Sequence, residues 1–199
     1  FRSLSSSLYF EEILRYKFAR DQKQRLLARL MLKTCLEKNM FQGHFIEEWK
    51  RDKNNKPFIE GWDSFNISHS EDIVIFGHDK DVIGIDIEKE NKLDYQEMIE
   101  IFHPEEQKYI MEPGNIQEKF YEVWVKKEAF LKAIGIGIIE GLKDFNCVED
   151  VIVYEGKSWY LHQLKIHSGY TSYLCSLCKE IKLTIMEFMP EQLKINLNE

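Results

Sequence analysis

The chain has 199 residues, of which 44% are hydrophobic and 31% are charged, so it is long enough to bury the core of one ordinary domain or of two small halves. Its net charge of −7 disfavours non-specific nucleic-acid binding, which depends on basic residues that neutralise phosphates. No apolar run approaches the roughly 18 residues that cross a membrane, and the opening letters FRSLSSSLYF lack a signal-peptide pattern. We therefore expect a soluble cytoplasmic protein without nucleic-acid or membrane partners.

Residues 11–38 carry apolar side chains at mostly helical spacing, which predicts one amphipathic helix or two in succession. The opposite face is unusually basic for so acidic a chain. Its basic members are Arg15, Lys17, Arg20, Lys23, Arg25, Arg29 and Lys33. The run is either a solvated helix face or a surface that docks a partner, and the sequence leaves both interpretations open.

Residues 50–58 are polar and end near Pro57, which predicts an exposed loop. The letters FNISHS and DIVIFGHD then predict two short strands around a turn at Ser70–Asp72. The second of them leads into VIGIDIEKE, residues 82–90, where isoleucines alternate with glycine and acids. This alternation predicts a further strand.

In such a strand Asp86 and Glu88 lie on one face, roughly 7 Å apart, while the isoleucines lie on the other. Two carboxylates fixed this way repel each other unless a cation lies between them. Mg²⁺ takes oxygen ligands of this kind, commonly together with substrate phosphates. The segment therefore predicts a metal site, although a solvated strand face explains it equally well on its own.

Residues after Asn91 have a helical pattern in which Pro104 suits the first turn of a new helix, ended by Pro113–Gly114. The strongest helix is predicted over 118–137, with Gly135 as its stop. Residues 147–178 predict about three strands.

Two pairs of residues in these segments have a bearing on function. Glu128 and Lys132 lie four apart on one helix face, which alone describes an ordinary surface ion pair. Beside Asp86, they would add a third metal ligand and a phosphate-binding cation. Cys175 and Cys178 have CxxC spacing, but positions three apart on a strand point to opposite faces, so we expect reduced thiols rather than a metal or redox pair.

Three blocks resemble, in order and spacing, the conserved motifs of the 4'-phosphopantetheinyl transferases: VIGIDIEK, IFHPEEQ and FYEVWVKKEAFLKAIGIGI. The upstream letters NKPFIEGWDSFNISHS are similar to the long, monomeric Sfp type of the family. FARDQKQRLLARLML resembles the first long helix of its eukaryotic cytosolic members. The resemblance covers roughly residues 10–178.

The resemblance implies an α+β fold with a pseudo-two-fold arrangement of two similar halves, each a small, mainly antiparallel sheet packed on a long helix. Residues 1–80 would form the first half and residues 81–199 the second, which carries the metal site. Coenzyme A would bind in the cleft between them as co-substrate. The implied reaction transfers its 4'-phosphopantetheine arm to a serine of an apo acyl or peptidyl carrier protein, with Mg²⁺ or alternatively Mn²⁺, and releases adenosine 3',5'-bisphosphate.

Position by position, the resemblance makes Asp86, Glu88 and Glu128 the metal ligands. Lys132 falls on the lysine that contacts a pyrophosphate oxygen. Glu106 falls on the glutamate proposed as general base toward the carrier serine, directly or through a metal-bound water. The remaining matched positions contact coenzyme A, and His69 would also assist catalysis by neutralising phosphate charge. These positions are Arg51, Lys56, Asn66, Ser68 and His69. Lys127, in the same motif as Lys132, would either contact phosphate or stabilise the site.

One departure and two alternatives accompany this interpretation. Many members place an arginine that holds a coenzyme A phosphate where this chain has Glu12. A descendant that only binds carriers or coenzyme A would not need to keep all these acids and lysines together. An unrelated metal-dependent phosphohydrolase would need further His or Asp ligands, and none is apparent.

The carrier's acidic helix would dock on the basic run at 15–33 or on the helix that ends at Pro113.

Overall fold

The structure is a computed structural model, which describes residues 12–38, 49–92, 95–136 and 142–188. Its helices are α1 (Ala19–Lys38), α2 (Gln96–Ile99), α3 (Pro104–Met111) and α4 (Ile116–Ile134). Its strands are β1 (Trp49–Arg51), β2 (Pro57–Ile59), β3 (Ser64–Ser70), β4 (Ile73–Asp79), β5 (Ile83–Lys89), β6 (Val151–Tyr154), β7 (Lys157–Leu164) and β8 (Tyr170–Ser176). Within the described ranges, no helix is long and apolar enough to cross a membrane.

The strands form small antiparallel sheets. β1 pairs with β2, β3 pairs with β4, and a four-stranded sheet has the order β5-β8-β7-β6. The expected α+β class with small antiparallel sheets is therefore confirmed, whereas the pseudo-two-fold relation of two halves stays a prediction. The predicted β3–β4 hairpin is present, and its turn places Glu71 at a φ of +50°.

Helix α4 covers the four-stranded sheet and forms the largest part of the core. Asn115 caps its N-terminus by accepting a hydrogen bond from the Glu118 N–H at 3.4 Å. Gly135 ends it in the left-handed region at a φ of +74°, a conformation that glycine adopts without steric cost. The predicted stop is thereby confirmed. Its apolar face packs on side chains of three of the sheet's strands, among them Ile152, Trp159 and Cys175.

Gly84 decides how closely β5 approaches α4. A Cβ atom at this position would lie 2.1 Å from the Ala129 carbonyl oxygen and 2.4 Å from the Ala133 backbone nitrogen. Both neighbours are backbone atoms of a helix, which cannot move aside at low cost. The glycine of the VIGIDIEK block therefore lets the strand that carries Asp86 lie directly against the helix that carries Lys132.

The first part of the chain has its own small core, in which Leu32 and Leu36 of α1 pack with Ile59 of β2 and Phe65 of β3. Strand β3 also lies beside β5, although the two strands belong to different sheets. Side chains at every second position of β3 join them: the Asn66 amide oxygen accepts from the Ile85 N–H at 2.9 Å, and two serines bond to acids of β5. The seam between β3 and β5 is consequently polar.

The CxxC cysteines do not form a site. Cys175 lies in the core on β8 and Cys178 is exposed after it, and neither is in a disulfide. The opposite environments follow from the strand geometry expected for these letters. Both cysteines are free in the structure, and their assignment as reduced thiols stays a prediction.

Candidate active site

Three side chains meet at the polar seam where β3, β5 and α4 converge. Asp86 Oδ1 accepts hydrogen bonds from Lys132 Nζ and from Ser68 Oγ, each at 2.6 Å. Lys132 Nζ also donates to Ser68 Oγ at 3.0 Å. Asp86 and Ser68 are buried, whereas the Lys132 side chain remains 27% exposed. The ammonium group therefore lies where a ligand in the adjoining cleft can reach it.

The other oxygen of Asp86 is the exception to this satisfied arrangement. Asp86 Oδ2 is buried and has no hydrogen-bond partner among the described residues. Buried polar atoms are nearly always paired, so an orphan carboxylate oxygen points to a cation or donor that binds there. We take this atom as the direct structural sign of a ligand at the site.

Two further carboxylates lie within the electrostatic field of Asp86. Burial, followed by the charge of Asp86, raises the pKa of Glu128 to about 7. Burial also raises the pKa of Glu88, against the effect of the hydrogen bond that Ser70 Oγ donates to its Oε2 at 2.7 Å. The charge of Asp86 therefore disfavours the ionised forms of both Glu88 and Glu128.

The donor set fits a hard divalent cation, because carboxylate oxygens that repel each other are stabilised by a positive charge between them. The orphan oxygen of Asp86 supports the same conclusion. In the described part of the chain, however, no three acidic, histidine or cysteine side chains converge closely enough to enclose an ion. Asp86 Oδ1 is instead engaged by Lys132 and Ser68.

A cavity of about 170 Å³ lies between α1, the preceding turn, and strand β3. Its charged and aromatic lining residues are Glu12, Tyr16, Arg25, Arg29, Arg51 and His69. The predicted ligand contacts Arg51 and His69 thus belong to one cavity. The pKa of His69 is lowered, first by partial desolvation of its ring and then by the charges of Arg25 and Lys132, so neutral imidazole predominates near pH 7.

A second cavity, of about 260 Å³, lies between the 54–57 loop and the end of α4, and Lys56, Asn66 and Lys132 are among its lining residues. Lys56 Nζ donates to the carbonyl oxygens of Lys132 at 2.8 Å and Ile83 at 3.2 Å, and burial lowers its pKa. The Asn66 amide oxygen is engaged with β5. Both side chains therefore tie the first part of the chain to β5 or α4, in addition to lining this cavity.

Two predicted site residues lie elsewhere. Glu106 and Lys127 are both 0% exposed and form an ion pair with each other, Nζ to Oε1, at 2.9 Å. Glu106 also accepts from the backbone N–H groups of Cys147 at 2.7 Å and His103 at 3.0 Å, and Lys127 donates to the Phe145 carbonyl. This enclosed arrangement leaves neither side chain open to a ligand, so it does not support direct contact of Lys127 with coenzyme A or of Glu106 with a serine hydroxyl.

Sequence reasoning missed Arg25 and Arg29 as parts of a ligand cavity and assigned them to a solvated or docking face. Their spacing of one helical turn shows that they share a face. Only the packing of α1 on β3 shows that this face turns inward. Ser70, two positions after Ser68 on the same face of β3, was likewise missed as the partner of Glu88.

The fold and site define an α+β protein in which carboxylates and a lysine meet at a seam between strands and a helix. Two family models match: the 4'-phosphopantetheinyl transferase superfamily over residues 82–178, and the N-terminal region of 4'-phosphopantetheinyl transferases over residues 7–80. The chain belongs to this family of transferases, and the resemblance seen in its motifs is confirmed.

Curated relatives agree with this family. The chain is similar to the 4'-phosphopantetheinyl transferase gsp of Aneurinibacillus migulanus, 28% identical over 97% of this chain and 86% of the relative. It is similar to a phosphopantetheinyl transferase of Thraustochytrium sp., 31% identical over 67% and 53%. It is also similar to the human L-aminoadipate-semialdehyde dehydrogenase-phosphopantetheinyl transferase, 30% identical over 64% and 47%. The aligned region thus spans about half of the last two relatives.

Proposed function

We propose that this protein transfers the 4'-phosphopantetheine arm of coenzyme A to a serine of an apo acyl or peptidyl carrier protein, in a reaction that depends on Mg²⁺ and releases adenosine 3',5'-bisphosphate. The observation that carries the proposal is the Asp86–Lys132–Ser68 contact, with its orphan carboxylate oxygen, beside Glu88 and Glu128. Membership of the transferase family supports it.

Lys132 has the central part in the proposed chemistry. Its partly exposed ammonium binds a pyrophosphate oxygen of coenzyme A and stabilises the charge that develops as the bond breaks. Mg²⁺ held by Asp86, Glu88 and Glu128 would neutralise further phosphate charge as a Lewis acid. Ser68 positions both groups, because its hydroxyl donates to Asp86 and accepts from Lys132.

The bond changes follow from the substrate. The carrier serine oxygen attacks the phosphorus that bears the pantetheine arm, and the bond from that phosphorus to the bridging pyrophosphate oxygen breaks. The bridging oxygen leaves with adenosine 3',5'-bisphosphate. The serine proton passes to a general base, for which the motif proposes Glu106, directly or through water. In the structure the Glu106 carboxylate is paired with Lys127.

The exposed part of the basic run is the proposed docking surface for the carrier. Arg15, Lys17 and Lys23 are exposed, whereas Arg25 and Arg29 line the cavity and are not available. Charge reversal at Lys17 and Lys23 should weaken carrier binding at low salt and have little effect at high salt. Unchanged carrier affinity at low salt would reject this surface.

The intact mass of an apo acyl carrier protein tests the function. After incubation with this protein, coenzyme A and Mg²⁺, the carrier should gain one phosphopantetheine group. The gain should disappear with Asp86→Ala or a chelator and persist with Asp144→Ala, an exposed aspartate outside the site. No gain on several carriers, by a protein that still binds coenzyme A, would instead indicate a binding-only protein.

A further inference from the structure

The cavity beside α1 contains a carboxylate of the protein itself. Glu12 Oε2 lies 3.2 Å from Arg29 Nη2, and Glu12 Oε1 lies 3.2 Å from Arg51 Nη2. Each oxygen thus serves one guanidinium group, and the carboxylate bridges two arginines that are 17 and 39 residues from it along the chain. An anion from outside would be expected to bind in the same place, because guanidinium groups bind phosphate and carboxylate alike.

The cavity also contains a basic side chain with an unused hydrogen-bond donor. A third guanidinium, that of Arg25, stacks over the Tyr16 ring with its centre 3.7 Å from the ring centroid. Its Nε is buried and has no hydrogen-bond partner among the described residues. The Arg25 Nε is thus a donor that a phosphate oxygen can satisfy.

His69 links this cavity to the reacting group. It lines the cavity, and the charges of both Arg25 and Lys132 act on its ring. Coenzyme A carries two separate anionic groups, the pyrophosphate and the 3'-phosphate. If the pyrophosphate lies at Lys132, the arginine cavity that His69 lines is the place for the second phosphate.

On the basis of the proposed function, we propose that Glu12 sets the specificity for the 3'-phosphate of coenzyme A. Its carboxylate is an internal counter-ion of the arginine cavity, and the 3'-phosphate displaces it from Arg29 and Arg51. Each binding event therefore breaks two existing ion pairs, which offsets part of the attraction. Consequently, this protein discriminates weakly between coenzyme A and dephospho-coenzyme A, which lacks that phosphate.

The test compares KM for the two substrates in transfer to an apo carrier. Glu12→Gln removes the competing charge and should lower KM for coenzyme A by about 3- to 10-fold, with KM for dephospho-coenzyme A and kcat unchanged. Arg25→Gln should do the reverse, raising KM for coenzyme A alone. The matched control is Glu71→Gln. This change removes the charge of an acid that pairs with Arg20, an arginine of α1 that does not line the cavity.

The proposal would be overturned if Glu12→Gln and Arg25→Gln changed KM equally for both substrates, or changed it for neither. Neither residue would then act on the 3'-phosphate. That outcome is distinct from failure of the proposed function. In the latter case the unaltered protein would modify no carrier with either substrate.

Discussion

Helix α4 presents two lysine–carboxylate pairs whose surroundings differ. Lys127 and Glu106 are both 0% exposed, whereas Lys132 is 27% and Asp86 3% exposed. Protein donors satisfy both oxygens of Glu106, while one oxygen of Asp86 has no partner among the residues that the structure describes. We call these the closed pair and the open pair. The comparison indicates that the same two chemical groups stabilise the fold when fully enclosed and are available to a ligand when one side is left open.

Breaking the closed pair should have the largest effect on stability. Lys127→Met leaves the Glu106 carboxylate buried without its cation, which typically costs about 3–5 kcal/mol. Adding Glu106→Gln removes that charge and keeps an acceptor for the Cys147 N–H, so the double variant should recover much of the loss. Urea denaturation of the single and double variants measures both effects.

The double variant also tests the assignment of Glu106. A glutamine cannot accept the serine proton, so a general base at this position predicts an inactive double variant. A purely structural closed pair predicts transfer activity near that of the unaltered protein, once the folded fraction is taken into account. A folded but inactive double variant would restore the role that the motif originally suggested.

Removing the open lysine should act on the reaction rather than on the fold. Lys132→Met takes away the cation proposed to stabilise the pyrophosphate, and a loss of about 100- to 1,000-fold in transfer rate is expected. Lys132→Met should lower the free energy of unfolding by less than half as much as Lys127→Met does, because water can reach Lys132. If Lys132→Met destabilised as strongly as Lys127→Met, the two pairs would not differ in kind.

Gly84→Ala tests the contact that assembles the open pair. The new Cβ would collide with the α4 backbone at Ala129, so we expect a loss of about 3 kcal/mol in unfolding free energy and slower transfer as Asp86 moves away from Lys132. Gly77→Ala is the matched control, since the atoms nearest to its Cβ would be isoleucine side-chain atoms at 3.4 to 3.5 Å, an ordinary contact distance. Similar stability losses in both variants would argue against a special contact at Gly84.

The smallest expected effect concerns the acids around the open pair. The folded-state pKa of Glu128, about 7, exceeds its ordinary value of 4.5. The native state therefore binds more protons than the unfolded state between these values, and stability falls as pH rises from about 4.5 to 7. Without divalent cations, Glu128→Gln should raise stability at pH 8 by about 1–2 kcal/mol.

That gain should vanish near pH 4, where both the native and the unfolded chain are protonated at this position. Thermal or urea unfolding at the two pH values, in the presence of a chelator, checks the sign. If Glu128→Gln were less stable than the unaltered protein at pH 8, the ionised Glu128 carboxylate would not destabilise the native state.

Local patterns in the sequence were enough to predict several helices and strands. The alternation of VIGIDIEKE identifies β5, because side chains of a strand alternate between faces. Gly135 ends α4 and Pro104 begins α3, because backbone preferences of glycine and proline act within a turn. Helical periodicity also separates Lys127 from Lys132 by about 140° around α4, so the two lysines cannot face the same side.

Only the tertiary structure decided which side of α4 is enclosed. Burial depends on residues distant in sequence: Glu106 and the Cys147 N–H enclose Lys127, and strands β3 and β5 leave Lys132 at a cleft. The same holds for Arg25, whose helix face turns inward only because α1 packs on the β3–β4 hairpin. The sequence by itself determined the identity of the charged groups and the local elements that carry them. The tertiary packing decided which of those charges are neutralised within the protein and which remain open to a ligand, because burial and pairing are set by contacts that no local pattern contains.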